Sequence, residues 1–321
     1  MAHEIRGWEN QIGRRLKLRD LHILSAVVQW GSMAKAASHL AMSQPAVSES
    51  IANLEAALRV RLLDRSTRGV EPTRYAHALL KRGHVVFDEL RQAIRDIEFL
   101  ADPTVGEVRV AAGDTLAAGL MSAVIDQLSR RHPKIVIRVV QANAETLEFR
   151  ELRERRVDLA LARVPGSFME DDLDVEFLFE DPHRVVVGAR SQWARRRKVT
   201  LAELVNEPWI FASNHVIREL ITEAFNACGL ELPQERVSAS SILLRNHLLA
   251  TGRFLTVLPA SVLRYNAKLW SLKALPIDLG VKPRCVAMLT LRNRTTSPVV
   301  QLFVEHVRGV ARAMSARSGS T

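Results

Sequence analysis

The sequence predicts a multidomain chain of mixed α+β and α/β class: a small N-terminal three-helix domain with a two-stranded wing, one long linker helix, and a C-terminal α/β region of two lobes. Three observations predict it. Residues 18–59 hold three short helical patterns separated by tight turns, and residues 73–100 form one helical pattern with no internal proline. Beyond Asp102-Pro103, strand-like and helical stretches alternate, which calls for a parallel sheet covered by helices.

Taken in order, residues 1–17 show little periodicity and read as an extension. Leu21, Leu24, Val27 and Val28 mark the first helix, with Asp20 as its expected cap. Ser32 should cap a second helix over 33–40, whose alanines allow close backbone approach. After a turn at Ala41-Met42, Ser43 should cap a third helix reaching about Arg59, with Pro45 in its first turn, where its missing N–H has no partner to lose. Val47, Ile51, Leu54 and Leu58 share one face, and Gln44, Ser48, Glu49 and Asn53 the other. A small-residue helix followed by a polar-faced one describes a helix-turn-helix whose second helix suits the DNA major groove. Residues 62–73, with Gly69 for the turn and Pro72 at the close, read as a wing that carries Arg65 and Arg68 towards phosphates. Lys35 and the capping serines Ser32 and Ser43 complete the candidate DNA-contacting set.

The run over 21–28, then Gly31-Ser32, Ala36-Ala37, Leu40, Ser43-Gln44-Pro45-Ala46-Val47-Ser48, Ile51, Leu54-Glu55, Leu62-Leu63, Arg65 and Pro72-Thr73 resembles the N-terminal winged helix-turn-helix of LysR-type transcriptional regulators. Leu24 stands where that family commonly has Phe, and Glu49 where it often has a basic residue, which bears on the base contacts of the third helix. The resemblance implies pairing through the linker helix and a periplasmic-binding-protein-like effector domain. It also implies that the positions of Thr115 and Arg163 hold acidic or polar groups of an effector.

Gly83, Phe87, Leu90, Ile94, Ile97 and Ala101 recur at heptad spacing, the pattern of a helix-helix seam. The expected boundaries are 18–76 for the DNA-binding domain, 77–102 for the linker and 103–314 for the effector domain, with a disordered tail at 315–321. Lobe I is expected at about 103–163 and 275–314, and lobe II at about 164–274. Ligands of open α/β lobes sit beyond the carboxyl ends of strands. That rule selects Thr115, Asn143 and Arg163 in the first lobe and Ser213, His215, Ser240 and Thr256 in the second. Each hydroxyl could instead be a helix cap, Arg163 could pair with Asp158 or a hinge acid, and His215 could be a capping or surface residue.

A net charge of +10, of which residues 1–76 carry +4, favours a polyanionic partner. Arg195-Arg196-Arg197-Lys198 forms a second basic cluster, read chiefly as a solvated loop. Two cysteines make neither a disulfide framework nor a four-thiolate zinc site, and no apolar run is long enough to span a membrane; the expected compartment is the cytoplasm. GxGxxG, GxxxxGK[ST], GxSxG and HExxH motifs are absent, so neither enzymatic chemistry nor a cofactor is expected. The expected partners are double-stranded DNA bearing an inverted repeat, a small-molecule effector of anionic character, and further copies of the chain as a homodimer or homotetramer. A ligand-independent DNA-binding protein and an α/β enzyme with an unrecognised site are the rival readings.

Overall fold

The computed structural model describes residues 16–66, 69–141, 148–213 and 215–318. The described residues form two compact units, divided between Arg91 and Gln92.

In the first unit, helices α1 (Leu18–Trp30), α2 (Met33–His39) and α3 (Gln44–Leu58) close on a core that includes Leu24, Val27, Ala36, Val47, Ile51 and Leu54. Asp20 does not cap α1: the N-cap is Lys17, which makes no side-chain bond. Instead Asp20 accepts a 2.6 Å hydrogen bond from Ser50 Oγ, tying α1 to α3 through the one buried polar side chain of α3. Strands β1 (Leu63–Ser66) and β2 (Gly69–Pro72) form the antiparallel wing, with Arg65 opposite Val70. Its base is fixed twice. Glu55 of α3 accepts from the Leu62 and Leu63 N–H groups at 2.7 and 3.2 Å, and Val70 N–H donates to the Gly31 carbonyl at 3.1 Å. Gly69 has φ +130, and a Cβ there would lie 2.8 Å from that same carbonyl, so both its backbone conformation and its surroundings require glycine.

Helix α4 (Arg74–Ala101) follows. The heptad expectation holds only in part. Gly83 is buried, and Phe87 packs edge-on against His22 at 6.0 Å, so Phe87 serves the three-helix domain. Beyond Gly83 the large apolar side chains left exposed are Val86, Leu90, Ile94, Ile97 and Leu100, the last two at 66% and 79%. A straight helix drifts against a 3.5-residue repeat, so one register cannot serve both ends of a 28-residue helix.

The second unit contains, in chain order, β3 (Gly106–Ala112), the composite helix α5 over 114–131, β4 (Ile135–Gln141), α6 (Arg150–Arg153), β5 (Leu159–Val164), β6 (Leu173–Asp181) and β7 (His183–Gly188). Then come α7 (Leu201–Leu204), β8 (Trp209–Phe211), α8 (His215–Ala227), β9 (Glu235–Ser238), α9 (Ile242–Ala250), β10 (Leu255–Pro259), α10 (Ala260–Asn266), β11 (Leu272–Ala274), β12 (Arg284–Leu291) and α11 (Pro298–Ser318). Two five-stranded sheets result, ordered β4-β3-β5-β12-β6 and β11-β7-β10-β8-β9. In the first, β3, β4 and β5 are parallel and β12 runs against both its neighbours; in the second, β10, β8 and β9 are parallel.

Three expected boundaries move. Strand β6, not expected from sequence, pairs with β12 along its length, so lobe I reaches Asp181 rather than ending at 163. Leu275, Ile277 and Leu279 pack in the core of lobe II, so the chain returns to lobe I after them rather than at 275. Helix α11 continues to Ser318, into the stretch expected to be a tail. The helix expected over 143–156 is only α6 among the described residues, with Phe149 at φ +45 before it.

The lobes touch closely where α5 meets α10. Residues 117–121 of α5 form a π-helical turn. A Cβ on Gly119 would meet Ser261 of α10 at 3.4 Å, and Asn266 Nδ2 donates to the Ala118 carbonyl at 2.7 Å.

Candidate functional site

On the first unit the candidate surface is the outer face of α3 with the start of α2. Its geometry follows from the capping. Ser32 Oγ accepts from Lys35 N at 3.5 Å and Ser43 Oγ accepts from Ala46 N at 3.4 Å, so both serines fix helix starts while their hydroxyl protons stay available. Lys35, Gln44, Pro45, Glu49 and Asn53 are exposed and Ser48 is half-buried, opposite the buried Val47, Ile51 and Leu54. Arg65 stands on β1; Arg68 and Asn143 lie outside the described residues.

In the second unit a cavity of about 410 Å³ opens between the lobes, at the carboxyl ends of β3, β5 and β10. Of the residues selected from sequence, Thr115, Arg163, Ser213 and Ser240 line it. Ser240 is not a cap, since α9 is capped by Ser241. Thr115 does not cap its helix either, because Gly113 is the N-cap there. Two selected residues fall elsewhere. Thr256 is buried and donates to the Ile210 carbonyl at 2.7 Å, which satisfies its hydroxyl within the sheet. His215 is exposed at the start of α8, whose next residues, Val216 and Ile217, line the cavity instead.

Arg163 pairs with a hinge acid, and that acid is Asp181 rather than Asp158. Its Nε donates to Asp181 Oδ2 at 2.9 Å, with Nη2 2.7 Å from the same oxygen. Nη1 donates to Thr115 Oγ1 at 2.7 Å and Nη2 to Ser261 Oγ at 3.0 Å. Asp181 also accepts from the Ser261 hydroxyl (2.6 Å) and N–H (2.9 Å). This cluster joins α5, β5 and the end of β6 in lobe I to α10 of lobe II. Asp158 is occupied at the opposite, amino end of β5 by Arg95 and Arg294, each at 3.1 Å.

Beside this cluster His183 is buried, its Nδ1 without a hydrogen-bond partner among the described residues. Burial, reinforced by the neighbouring Arg163 charge against an opposing pull from Asp181, brings its pKa down to about 4. It is therefore neutral near pH 7. Sequence reasoning missed this histidine as a cavity residue, and it also missed Arg245 of α9 and Arg284 of β12, which line the same space.

Among the described residues no helix is long and apolar enough to cross a membrane. Residues 18–77 match the family described as bacterial regulatory helix-turn-helix protein, lysR family, and residues 101–312 match the LysR substrate binding domain. The chain is 25% identical over 307 residues to the HTH-type transcriptional regulator GbpR of Azospirillum brasilense, covering 92% of this chain and 87% of that one. It is 27% identical over 248 residues to the HTH-type transcriptional regulator TdcA of Escherichia coli, covering 77% and 78%. The full-length regulator CbnR, solved in complex with its target DNA, superposes with a TM-score of 0.64 at 19% identity, over 92% of this chain and 100% of CbnR.

Proposed function

Since the chain belongs to the LysR family of DNA-binding transcriptional regulators with an effector-binding domain, we propose that it reads DNA through α3 and reports a small molecule held between its lobes. Gln44, Pro45, Ser48, Glu49 and Asn53 meet base edges, while Ser32, Lys35, Ser43, Arg65 and Arg68 hold phosphates. The observation that carries this reading is the division of α3 into a fully buried apolar face and an exposed polar one, held at a fixed angle to the wing by Glu55. Copies of the chain pair through the exposed apolar side of α4, so two such helices face one operator and the site is an imperfect inverted repeat. The effector acts by favouring one arrangement of the lobes, the Arg163–Asp181–Ser261 cluster being the joint it works against. The regulator acts in the cytoplasm, where its DNA is, and no catalytic step is assigned to it.

Selection of binding sites from a pool of random duplexes tests the DNA half. Purified protein should enrich an inverted repeat, and Gln44→Ala should weaken the selected site by roughly 5- to 150-fold while changing non-specific binding little. Equal losses on both DNAs would remove Gln44 from base readout.

A further inference from the structure

Arg245 lies on α9, lines the cavity and is only 4% exposed. Its Nε finds no acceptor among the described residues. Burial holds its pKa below the ordinary arginine value, with Asp114 pulling the other way. That acid is itself held by Gln141, whose Nε2 donates to it at 2.7 Å. A guanidinium keeps its proton at any pH the fold survives, so a permanent cation is buried here. Such a charge is costly unless an anion meets it, and Arg groups meet carboxylates with two parallel bonds. Arg163, the cation singled out from sequence, is already neutralised by Asp181 and hydrogen-bonded through all three of its nitrogens. Arg284, half-buried on the same cavity, adds positive potential. The neutral His183 supplies a further ring nitrogen for a hydrogen bond. The rest of the cavity wall includes Leu116, Phe149, Val216 and Ile217, and about 410 Å³ is the size of a small-molecule site.

Taking this cavity as the effector site, we propose that Arg245 is its anion receptor and that the effector is a small organic acid, its carboxylate on Arg245 and its apolar body against Leu116, Phe149, Val216 and Ile217. An inorganic anion would leave that apolar wall unused.

The test is thermal shift and calorimetry on the full chain with butyrate, hexanoate and phenylacetate, each beside its neutral amide, and with inorganic phosphate. At least one acid should raise the melting temperature where its amide does not. Arg245→Met should weaken that acid roughly 10- to 100-fold and Arg245→Lys by less. Without added acid, Arg245→Met should melt no lower than the parent chain, because it removes a cation whose burial is costly; a large drop would make Arg245 a structural residue and overturn the proposal. So would equal binding of acid and amide, an unchanged affinity in Arg245→Met, or a response to phosphate alone. Binding of amides but not acids would leave the cavity as an effector site and remove only Arg245. If acids and amides all fail while DNA binding persists, both the proposal and the effector reading of the cavity fall.

Discussion

At the scale of single residues, Arg163 is the side chain on which the joint between the lobes converges. Arg163 is a cation at a strand end where an apolar residue would be ordinary, and it does line the cavity. Its charge, however, is neutralised by Asp181, whose side chain is almost wholly buried. Breaking a buried pair leaves the other charge uncompensated, at about 3 to 5 kcal/mol. Arg163→Met should therefore lower the melting temperature of the effector domain by roughly 10 °C, and the double variant Arg163→Met with Asp181→Asn should recover most of that loss in a thermal melt. No recovery would mean that the pair is not what the cluster depends on. His183 gives a second residue-scale prediction. Its folded pKa of about 4 lies below the ordinary 6.5, so between those values the unfolded chain binds the extra proton. The stability tied to the neutral ring is complete above pH 6.5 and is lost as pH falls towards 4. His183→Gln should flatten the melting temperature against pH in that window relative to the parent chain, and parallel curves would show that this ring does not carry the dependence.

At the scale of elements, what could be read from the sequence follows from periodicity and punctuation. The three short helices and the wing were legible because Ser32, Ser43, Gly69 and Pro72 punctuate them and the apolar positions of α3 repeat at helical spacing. Strand β6 was not legible: it is an edge strand whose Asp174 and Glu176 pair with Arg292 and Arg308 across the chain, so its acids read locally as a solvated loop. Helix α9 was misleading in the opposite sense. Leu243 and Leu244 are exposed while Arg245 and Asn246 are buried, and a leucine-rich run with no clear period hides which face turns inward. That is why the buried cation of the cavity was missed. The coupling of α3 to the wing was equally hidden, since nothing near Glu55 in sequence says that its carboxylate takes two backbone N–H groups from the wing's approach. Glu55→Ala should cost about 1 to 3 kcal/mol through those unmet donors. Hydrogen exchange should rise at residues 62–72 more than in α1; a uniform rise would assign the loss to the whole domain instead. On α4, Ile97→Glu places a charge in the exposed apolar side and should shift sedimentation towards monomer, and an unchanged mass would move the pairing surface elsewhere.

At the scale of the whole molecule, charge is the property to test, because only part of it sits where DNA is read. Residues 1–76 carry +4 of the net +10, and the densest basic run, Arg195-Arg196-Arg197-Lys198, lies in lobe II. There Arg196 stacks over the ring of Trp193 at 5.6 Å, and all four basic residues are exposed. An arginine packed on its own domain's tryptophan in this way favours a solvated surface feature over a phosphate clamp. Counterion release separates the two roles, since each phosphate that the protein no longer neutralises reduces the slope of log affinity against log salt by about 0.9. Binding to the selected operator, measured by fluorescence anisotropy from about 50 to 200 mM salt, should show that slope fall by about one such step per bound copy in Arg65→Gln. It should stay unchanged when Arg195, Arg196 and Arg197 are all replaced by Gln, although affinity on every DNA can drop slightly through the lower net charge. A fall in slope for the triple variant would make the lobe II cluster a second DNA-binding surface. The recognised site would then have to be long enough to meet it, and footprints of the parent and triple variants would differ at their flanks.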